Sequence, residues 1–261
     1  MSIVDFHNHL MPGVDDGART LQDTRRALRA FSAAGITGAV ATPHVNASLV
    51  HDQVAFAARL AQLDGAWSEL QSCAAEEGVA VWRGAEVALD VPGPEFGDER
   101  LRLAGTRFVL VEFAYMTVPP NSARLLASIR TAGWIPVLAH PERYARMRQR
   151  PALAATWREA GAYLQVNGGS LLGRYGPDAR RVAQELLAAG MADYLCSDYH
   201  ARGEVGVPEY RYAVEARGGA EQAALLLEAN PQRMLRDELP IAVPPLAAPA
   251  SIWRRVRRFF R

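Results

Sequence analysis

The stretch "VDFHNHLMPGVDDG", residues 4–17, decides the reading of this chain. Two histidines stand one residue apart straight after an apolar run, and two aspartates follow six and seven residues after the second. Such a group is costly to bury and odd as plain surface. A metal site explains it, and so does a short strand carrying solvent-tolerant histidines. The rest of the sequence separates the two.

The chain has 261 residues, enough for one large α/β domain or two small ones. Apolar residues make up 49%, so a sizeable core can be buried. The 29 basic and 28 acidic side chains give no case for a nucleic-acid partner. Cys73 and Cys196 lie far apart with no C-x-x-C, which suits a reducing compartment rather than a disulfide framework or zinc ribbon. The first residues carry no basic n-region or long apolar h-region, and no apolar run reaches the ~20 residues needed to span a bilayer. The expectation is a cytoplasmic protein.

Working outward, short β-branched runs alternate with longer helical patterns. "IVDF" (3–6), "GAVATP" (38–43), "VAVWRGAEV" (79–87), "RFVLVEF" (107–113), "IPVLAH" (135–140), "AYLQVN" (162–167) and "DYLCSD" (193–198) read as seven strands. Helices are expected over 20–34, 52–76, 121–132, 150–160 and 177–189. The alternation implies parallel pairing with right-handed crossovers. Pattern alone leaves an open doubly wound sheet and a closed barrel both standing. No Gly-rich loop follows the first strand, so a dinucleotide-binding fold is disfavoured.

Five of the six histidines follow strand ends: His7 and His9 the first, His44 the second, His140 the fifth and His200 the seventh. Glu86 ends the third strand, Glu112 sits late in the fourth, and Asp198 precedes His200 with the spacing of His7 to His9. In a parallel barrel all these ends meet on one face. So many ionisable groups share a cavity only if cations neutralise the acids and occupy the imidazole lone pairs. Mixed nitrogen and oxygen ligands suit Mn, Fe or Zn in a catalytic site. His51 reads as surface, and Asp15 as a turn residue rather than a ligand.

The segments "DFHNHLMPGVDDG", "ATPH", "GAEV", "LVEF", "HPERY" and "SDYH" resemble the motifs of the PHP (polymerase and histidinol phosphatase) superfamily. More narrowly, they resemble its bacterial manganese-dependent protein-tyrosine phosphatases, which act on the membrane-associated tyrosine kinases controlling capsule and exopolysaccharide export. The likeness runs from about residue 3 to "NPQRML" at 230–235. It implies a distorted seven-stranded β/α (TIM-like) barrel with three metal ions, manganese first, at the C-terminal face of the strands. By the same resemblance His7, His9, Glu86 and Asp198 hold one metal. Glu86 bridges to a second, held also by Glu112 and His140. Asp16, His44 and His200 hold the third. Arg143 of "HPER" binds the substrate phosphate, and Arg202, two residues after His200, is the nearest match to a second phosphate-binding arginine. On that expectation the metals would activate water for in-line attack, and tyrosine, with a pKa of about 10, would need no dedicated general acid to leave.

"CSDYHAR" (196–202) also fits C-x5-R, the thiolate phosphatase signature. Its interior carries an acid and no glycine, which is poor material for wrapping N–H groups around a phosphate dianion. The rival within the superfamily is a histidinol-phosphate phosphatase or another small-molecule phosphoesterase. A non-catalytic module with a degenerate site is disfavoured, because every expected ligand is present.

Residues 1–240 are read as the metallophosphatase body and 241–250 as a Pro/Ala linker. Residues 251–261, "SIWRRVRRFFR", are read as a basic tail. The tail's five arginines leave the remainder of the chain net acidic. As a helix it would present an apolar stripe of Ile252, Trp253, Val256, Phe259 and Phe260, suited to an anionic membrane surface or to docking on the body.

Overall fold

The computed structural model describes residues 2–246. Nine strands occur among the described residues: β1 (Ile3–Asn8), β2 (Ile36–Ala41), β3 (His44–Asn46), β4 (Ala80–Arg83), β5 (Glu86–Leu89), β6 (Phe108–Phe113), β7 (Ile135–Ala139), β8 (Tyr163–Asn167) and β9 (Tyr194–Cys196). All pair in parallel, in a three-stranded sheet β1-β2-β4 and a six-stranded sheet β3-β5-β6-β7-β8-β9. The seven strands expected from the sequence become nine for two local reasons. Pro43, with no N–H to give a ladder, separates β2 from the short β3. Gly84 and Ala85 divide the single run expected over 79–87 into β4 and β5. A side chain at Gly84 would press on Val40 and on Leu103, so the break is also a close-packing point. Backbone bonds from Gly84 N–H to Ala41 O (3.0 Å) and from Glu86 N–H to Pro43 O (3.1 Å) carry the two sheets past the interruption. At the other side, Asp198 N–H donates to His7 O (2.8 Å) and His9 N–H to Tyr199 O (2.9 Å), tying the end of β1 to the segment after β9.

The helices are α1 (Leu21–Ala33), α2 (Gln53–Glu77), α3 (Ser122–Thr131), α4 (Leu153–Glu159), α5 (Gly168–Leu171), α6 (Gly176–Ala188), α7 (Val207–Glu215), α8 (Ala220–Ala224) and α9 (Asn230–Leu235). Thr20 caps α1 in a reciprocal box with Asp23, and Asp52 caps α2, which Gly78 ends in the left-handed conformation. The helices missing from the sequence reading are α5 and the run α7–α9. These are short, and a π-helical turn over Leu225–Ala229 joins α8 to α9.

Side chains alternate along the strands and sort into two apolar layers. Val109, Val111 and Phe113 of β6 face the helices. Phe108 and Leu110 face a smaller inner cluster with Phe6, Ile135, Val137, Tyr194 and Met234. The inner apolar layer gives way to ionisable side chains toward the C-terminal strand ends, and this transition positions the site.

Of the segment read as a linker, residues 241–246 lie along the body. Ile241 N–H donates to Asn230 Oδ1 (2.8 Å), Gln222 Nε2 donates to the carbonyl oxygens of Pro244 and Pro245, and Val243 is buried. Residues 247–250 and the basic tail 251–261 lie outside the described residues. No helix among the described residues is long and apolar enough to cross a membrane.

Candidate metal centre

His7 and His9 stand at and just past the end of β1, on the same side because strand side chains repeat every two residues. Their Nε2 atoms converge on two carboxylates. His7 Nε2 lies 3.3 Å from both Glu86 Oε2 and Asp198 Oδ1, and His9 Nε2 lies 3.6 and 3.3 Å from the same atoms. Glu86 opens β5 and is fully buried. Its Oε1 is 2.9 Å from His140 Nε2 and its Oε2 is 3.1 Å from His44 Nδ1. Glu112, near the end of β6, lies 3.6 Å from His44 Nδ1 and 3.9 Å from His140 Nε2. At the rim, Asp16 Oδ1 is 3.2 Å from His200 Nε2 and 3.5 Å from His44 Nε2.

Four groups of donor atoms are close enough to share a cation: His9–Asp16–His44–His200, His7–His9–Asp198, His7–Glu86–His140 and His44–Glu86–Glu112. All nine residues singled out as ligands in the sequence therefore fall into one connected cluster. His140 (φ 36°) and Asp198 (φ 51°) both take left-handed backbone, which is strained for non-glycine residues and is found where a side chain must be aimed.

The cluster is built to receive positive charge. His7 Nε2, His9 Nε2 and Glu86 Oε2 are buried without a hydrogen-bond partner among the described residues. Orphaned buried atoms of this kind are costly, and three of them converging at one point fit a coordinated cation. Burial pulls the His7 imidazole toward neutrality, but Glu86 and Asp198 outweigh it and raise its pKa to about 9. His9 is also driven up against the effect of burial, by Asp15, Asp198 and Glu86. Burial opposes ionisation of Glu86, yet the surrounding histidines hold its pKa well below the usual carboxylate range. Glu112 moves the other way, to about 7, because it is buried beside the Glu86 charge.

Several residues that the sequence reading passed over organise this cluster. His7 Nδ1 donates to Gln165 Oε1 (2.7 Å) on β8, and His9 Nδ1 to Asp15 Oδ2 (2.8 Å). Each bond fixes the tautomer and leaves the Nε2 lone pair facing the cluster, as outer partners do for metal-binding imidazoles. Asp15 is the turn residue it was read as, since its Oδ1 accepts from Gly17 N–H (2.9 Å), and it holds His9 as well. His200 Nδ1 donates to Asp198 O (2.8 Å). The two oxygens of Asp198 divide their partners. Oδ1 faces His7 and His9, while Oδ2 accepts from Arg143 Nη1 (2.6 Å) and Asn167 Nδ2 (3.0 Å). Arg143 extends from a short 3-10 turn over Pro141–Arg143. Arg202 is largely exposed, with Nη2 3.6 Å from Asp16 Oδ2. A cleft of about 320 Å³ opens beside the cluster, lined among others by Asp16, Asp198, His200, Arg202 and Tyr175.

The family model for capsular polysaccharide synthesis proteins CpsB/CapC matches residues 3–236. The chain belongs to the CpsB/CapC family. Tyrosine-protein phosphatase YwqE of Bacillus subtilis is 29% identical over 249 residues, spanning 93% of this chain and 95% of the relative. Tyrosine-protein phosphatase CpsB of Streptococcus pneumoniae is 24% identical over 247 residues, spanning 91% of this chain and the whole relative. A solved chain from work on YwqE and CpsB, described as unique metal-dependent tyrosine phosphatases, superposes with a TM-score of 0.73 at 27% identity. It covers 95% of this chain and 100% of its own.

In this CpsB/CapC member the C-x5-R segment holds no accessible thiol. Cys196 is buried in β9, and its pKa is driven well up by burial and by the Asp5 charge. A thiol held neutral and out of solvent is a poor nucleophile.

Proposed function

We propose that this chain is a metal-dependent protein-tyrosine phosphatase that hydrolyses phosphotyrosine on a protein partner, a membrane-associated tyrosine kinase of capsule or exopolysaccharide synthesis. The observation that carries the reading is the convergence of buried, unpartnered His7 Nε2, His9 Nε2 and Glu86 Oε2 beside a cleft lined by Arg202 and by Asp198, whose Oδ2 is held by Arg143. Family membership and the tyrosine-phosphatase names of the relatives support it.

In this reading three manganese ions would be held, one by His7, His9, Glu86 and Asp198, one by Glu86, Glu112 and His140, and one by Asp16, His44 and His200. When bound, the metals supply Lewis-acid charge for the phosphate dianion and activate water for in-line attack. The chain's own residues do the rest. Gln165 and Asp15 keep the two inner imidazoles in one tautomer. Arg143 offers a planar fork of donors to equatorial phosphate oxygens, where charge grows as the bond breaks. Tyrosine's pKa of about 10 lets its oxygen depart as the phenolate, so the site would need no residue placed as a general acid. The backbone bonds joining β1 to the segment after β9, and Ala41 and Pro43 to Gly84 and Glu86, support a distorted barrel of seven strands, two of them interrupted. We place the protein in the cytoplasm. The composition of 251–261 supports reversible contact with anionic lipid at the membrane face.

The test is a comparison of turnover on a phosphotyrosyl peptide, a phosphoseryl peptide and histidinol phosphate. Each is run with manganese, with chelator, and in Cys196→Ser. The expected result is preference for phosphotyrosine, loss in chelator, recovery with manganese and retention in Cys196→Ser. Preference for histidinol phosphate by orders of magnitude would move the substrate to a small molecule. Full activity in chelator would remove the metal mechanism.

A further inference from the structure

Tyr175 has no part in the mechanism so far, yet it lies against the phosphate-binding arginine. The Arg143 guanidinium carbon sits 4.3 Å from the centre of the Tyr175 ring. Stacking of this kind leaves all the guanidinium donors in plane and free to reach outward at the edges. One edge is already directed, through Arg143 Nη1, at Asp198 Oδ2. No other side-chain hydrogen bond of Arg143 occurs among the described residues, so the ring face is what limits rotation of the fork about that single bond.

The ring is itself held in place. Asn167 Nδ2 donates to the Tyr175 hydroxyl (3.3 Å) and to Asp198 Oδ2 (3.0 Å), so one amide ties the ring to the carboxylate that Arg143 also grips. Gly169 lets the ring approach, because a side-chain carbon there would lie 3.0 Å from Tyr175 Cε2. The neighbouring Arg174 is engaged elsewhere, donating to Glu204 O (2.9 Å) and lying over the Tyr210 ring. Tyr175 is 38% exposed and lines the cleft. A large aromatic half open to solvent, stacked on a functional arginine and braced from behind, does little for the core.

We propose that Tyr175 is a positioning residue that acts through Arg143. Its ring holds the guanidinium against the cleft wall that Tyr175 and Asp198 form, so that the arriving phosphate meets a fork already oriented. This rests on the phosphatase reading above for the role of Arg143. Orienting a side chain in advance removes an ordering cost from each binding event.

The test uses the manganese-loaded full-length protein with Tyr175→Leu, Tyr175→Phe, Arg143→Ala and the double variant Tyr175→Leu/Arg143→Ala. Leucine keeps apolar bulk and removes the π face, while phenylalanine keeps the face and removes the hydroxyl. Two quantities are read: kcat/KM on a phosphotyrosyl peptide, and the dissociation constant for inorganic phosphate by calorimetry. Tyr175→Leu is expected to lose roughly 5- to 30-fold in both, in the range of a partly desolvated cation–π contact, with bound manganese and thermal midpoint retained. Tyr175→Phe should recover to within about threefold of the parent. In the Arg143→Ala background the leucine change should add less than about twofold, because the group it positions is gone. Full additivity in the double variant would overturn the proposal and give Tyr175 its own contact with substrate. A phenylalanine variant as poor as leucine would also overturn it. If the parent protein fails to turn over the peptide, the phosphatase reading fails, while phosphate binding still reports the coupling between Tyr175 and Arg143.

Discussion

The floor and the rim of the ionisable cluster are built differently. At the floor, His7, His9, Glu86, His140 and Asp198 are essentially inaccessible, and three of them are fixed from behind by Gln165, Asp15, Asn167 or Arg143. At the rim, the side chains of Asp16, His44 and His200 are 62%, 37% and 21% exposed. Apart from the rim histidines themselves, the only basic side chain paired with Asp16 among the described residues is Arg202, at 3.6 Å. The contrast teaches that one site combines a rigid, dry region with a wet, adjustable one. Charge pairs in the dry region are strong and costly to break, while those at the rim are screened.

The hardest blow to this contrast is Glu86→Ala. It should strip most of the metal and bring turnover close to background, since Glu86 approaches His7, His9, His44 and His140 together. Arg143→Ala should instead keep its metal and lose roughly 10²–10³-fold in kcat/KM. Elemental analysis separates the two, and an Arg143 variant purified without metal would erase the division of roles. Asp16→Asn should remove about one metal equivalent per chain and leave the floor loaded. If it empties the whole cluster, floor and rim are one cooperative unit. Gln165→Leu leaves every proposed ligand in place but frees the His7 ring. It should weaken metal binding by roughly 10- to 100-fold, seen as a lower chelator concentration for half-inactivation.

The smallest expected effect is on pH dependence. In chelator, His7 has a folded pKa of about 9, above its ordinary value near 6.5. The stabilisation that its protonated form gains from Glu86 and Asp198 is therefore fully present below pH 6.5 and is lost as pH rises through about 9. The thermal midpoint of the metal-free protein should fall across that window, and manganese should flatten the slope by replacing the proton. A midpoint rising with pH in chelator would reverse the electrostatics drawn for the floor.

Much of this centre is legible in the sequence because strand-end residues of a parallel fold share one face, so His7, His44, Glu86, His140 and Asp198 could be grouped before any coordinates. Their supports were harder to read. Gln165 and Asn167 alternate on β8 within "YLQVN", and two polar residues two apart in an apolar strand were a usable signal that went unread. Asp15 and Asp16 are adjacent in one turn, and their division into a brace for His9 and a rim group depends on backbone geometry that composition does not carry. The strand count failed where Pro43 and Gly84 interrupt pairing without changing the apolar pattern. Tyr175 gave no signal at all, because its partner Arg143 is distant in sequence and meets it only where the start of α6 packs against the turn Pro141–Arg143.

The join between β1 and the segment after β9 has a consequence in time. Asp5 Oδ2 accepts from Ser197 N–H (3.1 Å), and His9 N–H donates to Tyr199 O, so the floor is closed by residues nearly 200 positions apart. During synthesis the first histidines emerge long before Asp198 and His200 exist. A nascent chain therefore carries His7, His9 and Glu86 without Asp198, the second of the two carboxylates that face both histidines. Contacts of such long separation are the slow ones in folding. Assembly of the complete cluster, and with it any tight capture of metal, belongs to the finished chain and not to the one still being made.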